Sequence, residues 1–482
     1  MSLSNRFHGW AERCKGFVTD PSPAARRDLM SRSGSVRAPW RLCAFLIALV
    51  TAAFVGQIQT DAQQPVDTIR INTRVVFMDA LVKDKRTGAS IADLKLENFE
   101  VRDDGTPRSI SYFTREGQAR KPLALILILD LRDDGAGRFL KREEVRKAMV
   151  EELAKLPPGD EVAILAINLN SVDDKTAMIR NGKAAWLTVF TRDRAQLEAA
   201  LARVPMLVAP APEPAKTETP KNDKNDSSSG SNGSVTVSTD STENKPATSA
   251  QDKPREDDVV ETETIKGKNG AVVTRTIKKD GSVNVKRVSS NGHVTIQLDN
   301  IYDMAGATRD ATQLAGEKRP NSQAAIVWLS DGIAPIFNED REATEQILIR
   351  QNAIFNSLTV DMRSLYKFLL PLGQPLIGWT GISLAGSAKR LARQSGGEAV
   401  HVSRTKDYGT GLAQIIGSLT ARYSLGFAIR EDEKDDGRLH QLEVRVTALD
   451  ARGKQRKLLV NARKGYYMPK AQVSETAAKN NP

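Results

Sequence analysis

Seven consecutive apolar residues, Leu123 to Leu129, run straight into Asp130. The run is too short to cross a bilayer, which takes about twenty residues, and its lack of alternation predicts a strand buried on both faces. Such a strand belongs to a parallel sheet with helices on each side, whose ligands bind beyond the carboxyl ends of the strands. Comparable runs occur at Val162–Ile167 and at AAIVWLSDG, Ala324 to Gly332, which again ends in an acid. Between them the pattern changes to the helical period. Val145, Met149 and Leu153 form one stripe of a helix predicted over 139–156, with Glu143/Lys147 and Glu151/Lys155 as i,i+4 pairs and Pro157-Pro158-Gly159 as the stop. Further strands are expected at 186–191, 358–365 and 398–402, and further helices at 194–203, 298–315, 340–357, 384–394 and 411–421. The alternation defines the fold class as α/β, a doubly wound, mostly parallel sheet.

The flanks read as β. Ile69, Ile71, Thr73, Val75 and Phe77 alternate with polar or outward residues, which predicts that they share the inward face of a strand. Asp103-Asp104-Gly105 is a turn signal. Leu442, Val444 and Val446 alternate against charged residues. Neither the 67–115 segment nor the 421–469 segment is long enough to stand alone, so the two are expected to pair. They frame an α/β unit split into 121–208 and 296–420 by an insertion. Residues 209–258 lack the large apolar residues needed to offset ordering entropy and are expected to be disordered. Residues 259–297 carry Asn269-Gly270, Asp280-Gly281 and Asn291-Gly292, favoured two-residue turns eleven residues apart, and predict a small β-meander. A frayed tail is expected over 470–482.

Charge and cysteine content then narrow the function classes. The formal net charge of +11 is partly N-terminal, since residues 1–62 hold eight Lys/Arg against four Asp/Glu. Basic spots such as Arg452, Lys454, Arg456 and Lys457 have no interleaved aromatics, which argues against a nucleic-acid partner. Both cysteines, Cys14 and Cys43, lie in the N-terminal segment, and His293, His401 and His440 are scattered. No disulfide framework or zinc enzyme is expected. Arg32, Arg37 and Arg41 precede an apolar run from Leu42 to Val55, so 1–62 is read as an export signal or an uncleaved anchor. Either way the bulk of the chain is expected to be exported, to the periplasm, cell envelope or exterior, with membrane contact only through that segment.

Three motifs carry a family resemblance: LENFEVRDDGTPRSISYF (Leu96–Phe113), PLALILILD (Pro122–Asp130), and YSLGF (Tyr423–Phe427) followed by DGRLHQLEVRV and a closing ARKGYYMP that ends at Pro469. Over about 67–469, leaving out the insertion, the chain resembles a von Willebrand factor type A domain protein, and more specifically the Acidobacterial VWFA-related family. The resemblance implies a von Willebrand factor A-type sheet plus a β-sandwich formed by the N- and C-terminal strands. It also implies a metal-ion-dependent adhesion site: an Asp-x-Ser-x-Ser turn, a Thr from a later loop and a fourth-strand Asp hold a divalent cation, and a partner's carboxylate completes it.

Here that turn reads Asp130, Leu131, Arg132, Asp133, Asp134, with both serine positions changed, while the fourth-strand acid persists as Asp331 and Asp299 lies nearest the expected Thr. In one reading Asp130, Asp134 and Asp331, with Asp299, hold Mg²⁺, Ca²⁺ or Mn²⁺ as the single cofactor. In the other, the Arg132 guanidinium pairs with these acids and replaces the metal. Trp379, in a loop with Gly378, Gly381 and Gly386, is either an exposed anchor for a protein partner or packs on the β segment. Ser330 has no histidine expected beside it and reads as a turn cap. The resemblance therefore implies a non-enzymatic protein-binding module. The alternatives are a structural or scaffold protein of the bacterial cell envelope with no cation-gated ligand and, further off, a hydrolase.

Overall fold

The computed structural model describes residues 74–468, apart from 116–119, 133–134, 170–177, 182–183, 209–234, 240–258, 361–380, 384–385 and the single positions 280, 300, 302, 333, 431 and 434. Outside it lie the expected export segment, the expected tail and most of the stretch expected to be disordered. Among the described residues no helix is long and apolar enough to cross a membrane.

The protein is mixed α/β around a seven-stranded sheet. In order across it run Ala399–Val402, Ile354–Val360, Gln323–Ser330, Leu123–Asp130, Glu161–Ile167, Ala184–Thr191 and Met178–Asn181. The first five are mutually parallel and the last two join antiparallel. Leu123–Asp130 lies at the middle and every residue of it is buried. Its alternate residues serve two cores. Leu125, Leu127 and Leu129 pack with Val145 and Met149 and with Leu412 and Ile415, whereas Ala124, Ile126 and Ile128 pack with Met304, Ala311 and Leu391. Helices Glu143–Leu153, Arg194–Ala202 and Tyr408–Thr420 therefore cover one face, and Met304–Lys318, Asn338–Arg350 and Ser387–Ser395 the other.

Three helices differ in extent from the sequence expectation, and the one expected over 139–156 is divided into Gly137–Leu140 and Glu143–Leu153. The 340–357 helix stops at Arg350, and the strand expected at 358–365 runs instead over Ile354–Val360. Asn352 adopts a left-handed conformation (φ 49°) that breaks the helix, and the buried Ile354 and Phe355 complete the core beside Trp328. The 298–315 helix starts later, at Met304, because Asp303 caps it by accepting from the Gly306 amide at 3.0 Å.

The flanking segments build two four-stranded antiparallel sheets. One runs Leu458–Ala462, Val75–Asp84, Tyr423–Ala428, Tyr112–Thr114, and the other Gly465–Tyr467, Leu439–Val446, Phe99–Asp103, Thr106–Arg108. Each draws strands from both ends of the chain, and they share a core in which Val76, Met78 and Ala80 meet Val101, Leu442 and Tyr466. A buried ion pair, Lys83 Nζ to Glu398 Oε1 at 2.6 Å, ties this part to the α/β part. Of the residues expected to face inward, Ile69, Ile71 and Thr73 lie outside the described residues, and at Phe77 the strand faces opposite to the sequence reading. Met78 is 1% exposed and Phe77 40%, and Phe77 packs its ring edge-on against Tyr112 at 5.2 Å. The odd-numbered face contains Asp79, which accepts from Ser424 Oγ at 2.5 Å, while 76, 78, 80 and 82 are all apolar. The face free of charged residues is the one that turns into the shared core, while Asp79 and Lys83 lie on the other.

The meander over 259–298 forms as expected, as strands Val259–Lys266, Val272–Lys278, Val283–Val288 and Val294–Leu298. Its turn glycines Gly270, Gly281 and Gly292 sit at φ 82°, 77° and 75°. Within the stretch expected to be disordered, Val235–Thr239 forms a fifth strand on the open edge of Val294–Leu298. The VTVST run is β-branched enough to take up a free ladder of backbone groups that polar composition alone did not reveal. Arg287 Nη2 pairs with Glu339 Oε1 at 2.9 Å, and Arg275 pairs with Asp303, fastening this sheet to the helices Asn338–Arg350 and Met304–Lys318.

The strand orientation is testable by urea unfolding. Met78→Ala should cost about 2–5 kcal/mol, and Phe77→Ala no more than about 1 kcal/mol; the reverse ranking would contradict the inward set of residues.

Candidate functional site

The apolar runs of the two central strands end side by side, at Asp130 and at Ser330-Asp331. Both carboxylates are deeply buried, and the guanidinium of Arg132, itself 6% exposed, lies between them. Its Nη2 is 2.8 Å from Asp130 Oδ2 and 2.7 Å from Asp331 Oδ1. Its Nε is 3.1 and 3.2 Å from the two Asp130 oxygens. Asp130 also accepts from Asn168 Nδ2 at 2.9 Å and Ser330 Oγ at 3.1 Å. The turn that returns Arg132 is held by Leu131 N to Ile167 O (3.1 Å) and Gly137 N to Arg132 O (2.8 Å). It passes so close that a Cβ on Gly135 would stand 2.9 Å from Asp331 Oδ2.

Burial by itself pushes the Asp130 carboxyl up, but the Arg132 charge, aided by hydrogen bonds from Arg132 and Asn168, outweighs it and holds the group below its ordinary 3.8. Tyr408, fully buried on its helix, is pushed up, first by burial and then by the charge of Asp130, and its hydroxyl has no hydrogen-bond partner among the described residues. Ser330 caps the turn, as its spacing suggests: its Oγ accepts from the Gly332 amide at 3.2 Å. Next in the same row across the sheet come Thr359, opposite Ser330, and His401, opposite Thr359; Thr359 Oγ1 and His401 Nδ1 are 2.9 Å apart. A histidine thus stands two strands from Ser330, at a place no local pattern indicates.

Of the residues singled out from sequence, Asp130, Arg132 and Asp331 are brought into direct contact. Asp299 follows the last strand of the meander, where it accepts from Gln297 Nε2 at 2.8 Å. Asp134 and Trp379 lie outside the described residues. Asn168, which the sequence reading passed over, joins the site from the end of Glu161–Ile167 in a left-handed conformation (φ 62°). Its one signal was an Asn where an apolar strand stops, since Asn tolerates that backbone.

A divalent cation takes oxygen ligands at about 2.0–2.6 Å. The Arg132 nitrogen already bridges Asp130 and Asp331, so guanidinium and cation compete for the same space between the same oxygens, and the described residues as folded do not fit a metal there. Compared with known proteins, the chain matches no family model and no curated sequence.

The lowered Asp130 pKa fixes the sign of a pH effect. A carboxyl whose folded pKa lies below its unfolded value contributes stability that is full above the unfolded value and disappears as pH falls through the folded one. The stability gap between the wild-type protein and Asp130→Asn, measured by urea unfolding, should stay constant over roughly pH 5–8 and narrow below about pH 4. A gap that widens on acidification would rule out the charged pair.

Proposed function

We propose that the chain is an exported, non-enzymatic protein-binding module of von Willebrand factor A type, beside a β-sandwich formed by its N- and C-terminal strands. In this reading Arg132 stands permanently where a metal-dependent adhesion site holds its cation, so the top face of the α/β part, at the carboxyl ends of its parallel strands, recognises a protein partner without cation gating. The observation that carries the reading is the buried bridge of Arg132 between Asp130 and Asp331, at 2.8 and 2.7 Å. A metal ion in an adhesion site gives a partner's carboxylate a bond to complete. A guanidinium saturated by two buried carboxylates offers no such open position, so partner affinity must come from the surrounding surface.

Hydrolysis finds little support. Ser330 Oγ directs its proton at Asp130, a carboxylate held weakly basic by Arg132, and a serine nucleophile needs a base near neutrality. A scaffold role in the cell envelope shares the ungated site, and differs in placing the partner elsewhere, on the inserted sheet.

Two measurements test the reading. Thermal unfolding of the wild-type protein should be unchanged by excess Mg²⁺ or Ca²⁺. Arg132→Ser, which restores a hydroxyl to the turn, should gain a cation-dependent rise, worth about 2.7 kcal/mol at a hundred times the dissociation constant. A wild-type rise abolished in Asp130→Ala would sink the proposal. Second, a photo-crosslinker at the exposed His401 should capture a protein partner in cells with or without chelator; capture only from the inserted sheet would favour the scaffold.

A further inference from the structure

A second cluster of metal-ligating groups lies in the two-sheet part of the molecule. The turn joining Phe99–Asp103 to Thr106–Arg108 places Asp104 at φ 46°, which folds its carboxylate across onto the strand Leu439–Val446. There Asp104 Oδ1 accepts from the Gln441 amide at 2.8 Å, and Oδ2 lies 3.0 Å from His440 Nδ1. Asp103, 4% exposed, points into the same space. Its Oδ2 accepts from Tyr466 Oη at 3.1 Å and from Arg108 Nη2 at 2.7 Å. Its Oδ1 is 3.9 Å from His440 Nδ1, and this buried oxygen has no hydrogen-bond partner among the described residues. The His440 ring stacks on Tyr466 at 5.0 Å, and its far nitrogen, Nε2, is 3.2 Å from Asp436 Oδ1.

These contacts create a conflict that a cation resolves. Carboxylates flank both imidazole nitrogens, Asp104 Oδ2 at 3.0 Å from Nδ1 and Asp436 Oδ1 at 3.2 Å from Nε2. A proton on Nε2 leaves Nδ1 presenting a lone pair beside two carboxylate oxygens. A proton on Nδ1 serves Asp104 but leaves Asp103 Oδ1, at 3.9 Å, still orphaned. One metal ion serves all three, and the three atoms lie within 4.8 Å of one another. Ligands about 2.0 Å from a tetrahedral ion stand roughly 3.3 Å apart, between the two separations found here.

We propose that Asp103 Oδ1, Asp104 Oδ2 and His440 Nδ1 form a binding site for a divalent ion of zinc type. A set of one imidazole and two carboxylates suits such an ion better than the all-oxygen preference of Mg²⁺ or Ca²⁺. Asp436 orients the imidazole from behind, the arrangement by which carboxylates commonly fix metal-binding histidines. The side chains of Asp104 and Asp436 are partly exposed, which leaves an approach from solvent and room for a water as fourth ligand. Arg438 Nη2 now sits 3.0 Å from Asp104 Oδ2, but its side chain is 62% exposed and free to yield. The bound ion would staple the Asp103-Asp104 turn to a strand from the other end of the chain.

The test uses the full chain, stripped with chelator, exposed to Zn²⁺ and dialysed. About one Zn²⁺ per chain should be retained by elemental analysis, with an upward thermal shift of at least about 2 °C. Asp104→Asn and His440→Asn should each abolish both, and Asp130→Asn should leave both intact. Asp104→Asn guards against misfolding as the cause, because Asn tolerates the left-handed turn and its carbonyl can keep the Gln441 bond. No retained Zn²⁺ in the wild-type protein, or retention indifferent to both variants, overturns the site. Either result leaves the Arg132 reading untouched, since that stands on Mg²⁺ and Ca²⁺ responses at Asp130.

Discussion

A strand buried on both faces has nowhere to put a charge except at its end, and that constraint shapes the centre of this molecule. Leu123–Leu129 fill two cores at once, so Asp130 emerges where the sheet gives way to loop and is still nearly inaccessible to water. A carboxylate so placed must be matched within the chain or by a bound ion. Arg132 supplies the match from only two residues away, with Asp331 arriving from the neighbouring strand as its second partner. Both carboxylates thereby engage one guanidinium, and Asn168 and Ser330 occupy remaining lone pairs of Asp130. A buried pair of this kind gains little net stability over an apolar substitute, because desolvation offsets the attraction. What it imposes is geometry: Asp130, Arg132 and Asp331 can satisfy one another in few ways.

The same logic recurs where the inserted sheet meets the α/β part. Arg275 and Arg309 are buried with Asp303 and Asp340 beside the half-buried Glu263, whose Oε2 Arg309 Nη2 reaches at 2.7 Å. Burial pushes the Asp340 carboxyl up despite the adjoining Arg309, whereas Glu263, less enclosed, is held below its ordinary value by Arg309 against the pull of burial. The meander's own apolar set is small, Val273, Ile277, Val283, Val285, Ile296 and Leu298 around Phe337. Charge pairs of fixed direction therefore do much to orient it, while the apolar contacts hold it down.

Much of the fold was legible because its signals are local. The unbroken apolar strands, the Asn-Gly turns of the meander and the acids at strand ends follow from periodicity and turn chemistry within a few residues. The misreadings came where a distant partner decides. On the face of Val75–Asp84 that leaves the core, Asp79 and Lys83 find Ser424 and Glu398, and Val235–Thr239 became a strand because Val294–Leu298 had a free edge. Helix ends near 350 depended on which apolar residues the sheet required. The site shows the same division: Asp130 and Asp331 mark themselves, but Asn168 and the Thr359–His401 pair enter through parallel register. Asp103, Asp104 and His440 lie in the two end segments expected to pair, but no local pattern shows that these residues adjoin.

That arrangement also dictates an order of assembly. Val75–Asp84 pairs on one side with Tyr423–Ala428 and on the other with Leu458–Ala462, and Leu94 and Tyr423, bonded across the same unit, are 329 positions apart. At a synthesis rate of about 5–20 residues per second, the early strand waits roughly 17–75 s for its neighbours. Until then Val76, Met78, Ala80 and Val82 form an apolar stripe with both edges unpaired, the condition that invites strands of other chains to add on. The α/β core can close around its own local crossovers first, so the two-sheet unit is the last to form and the step most exposed to aggregation or in need of a chaperone.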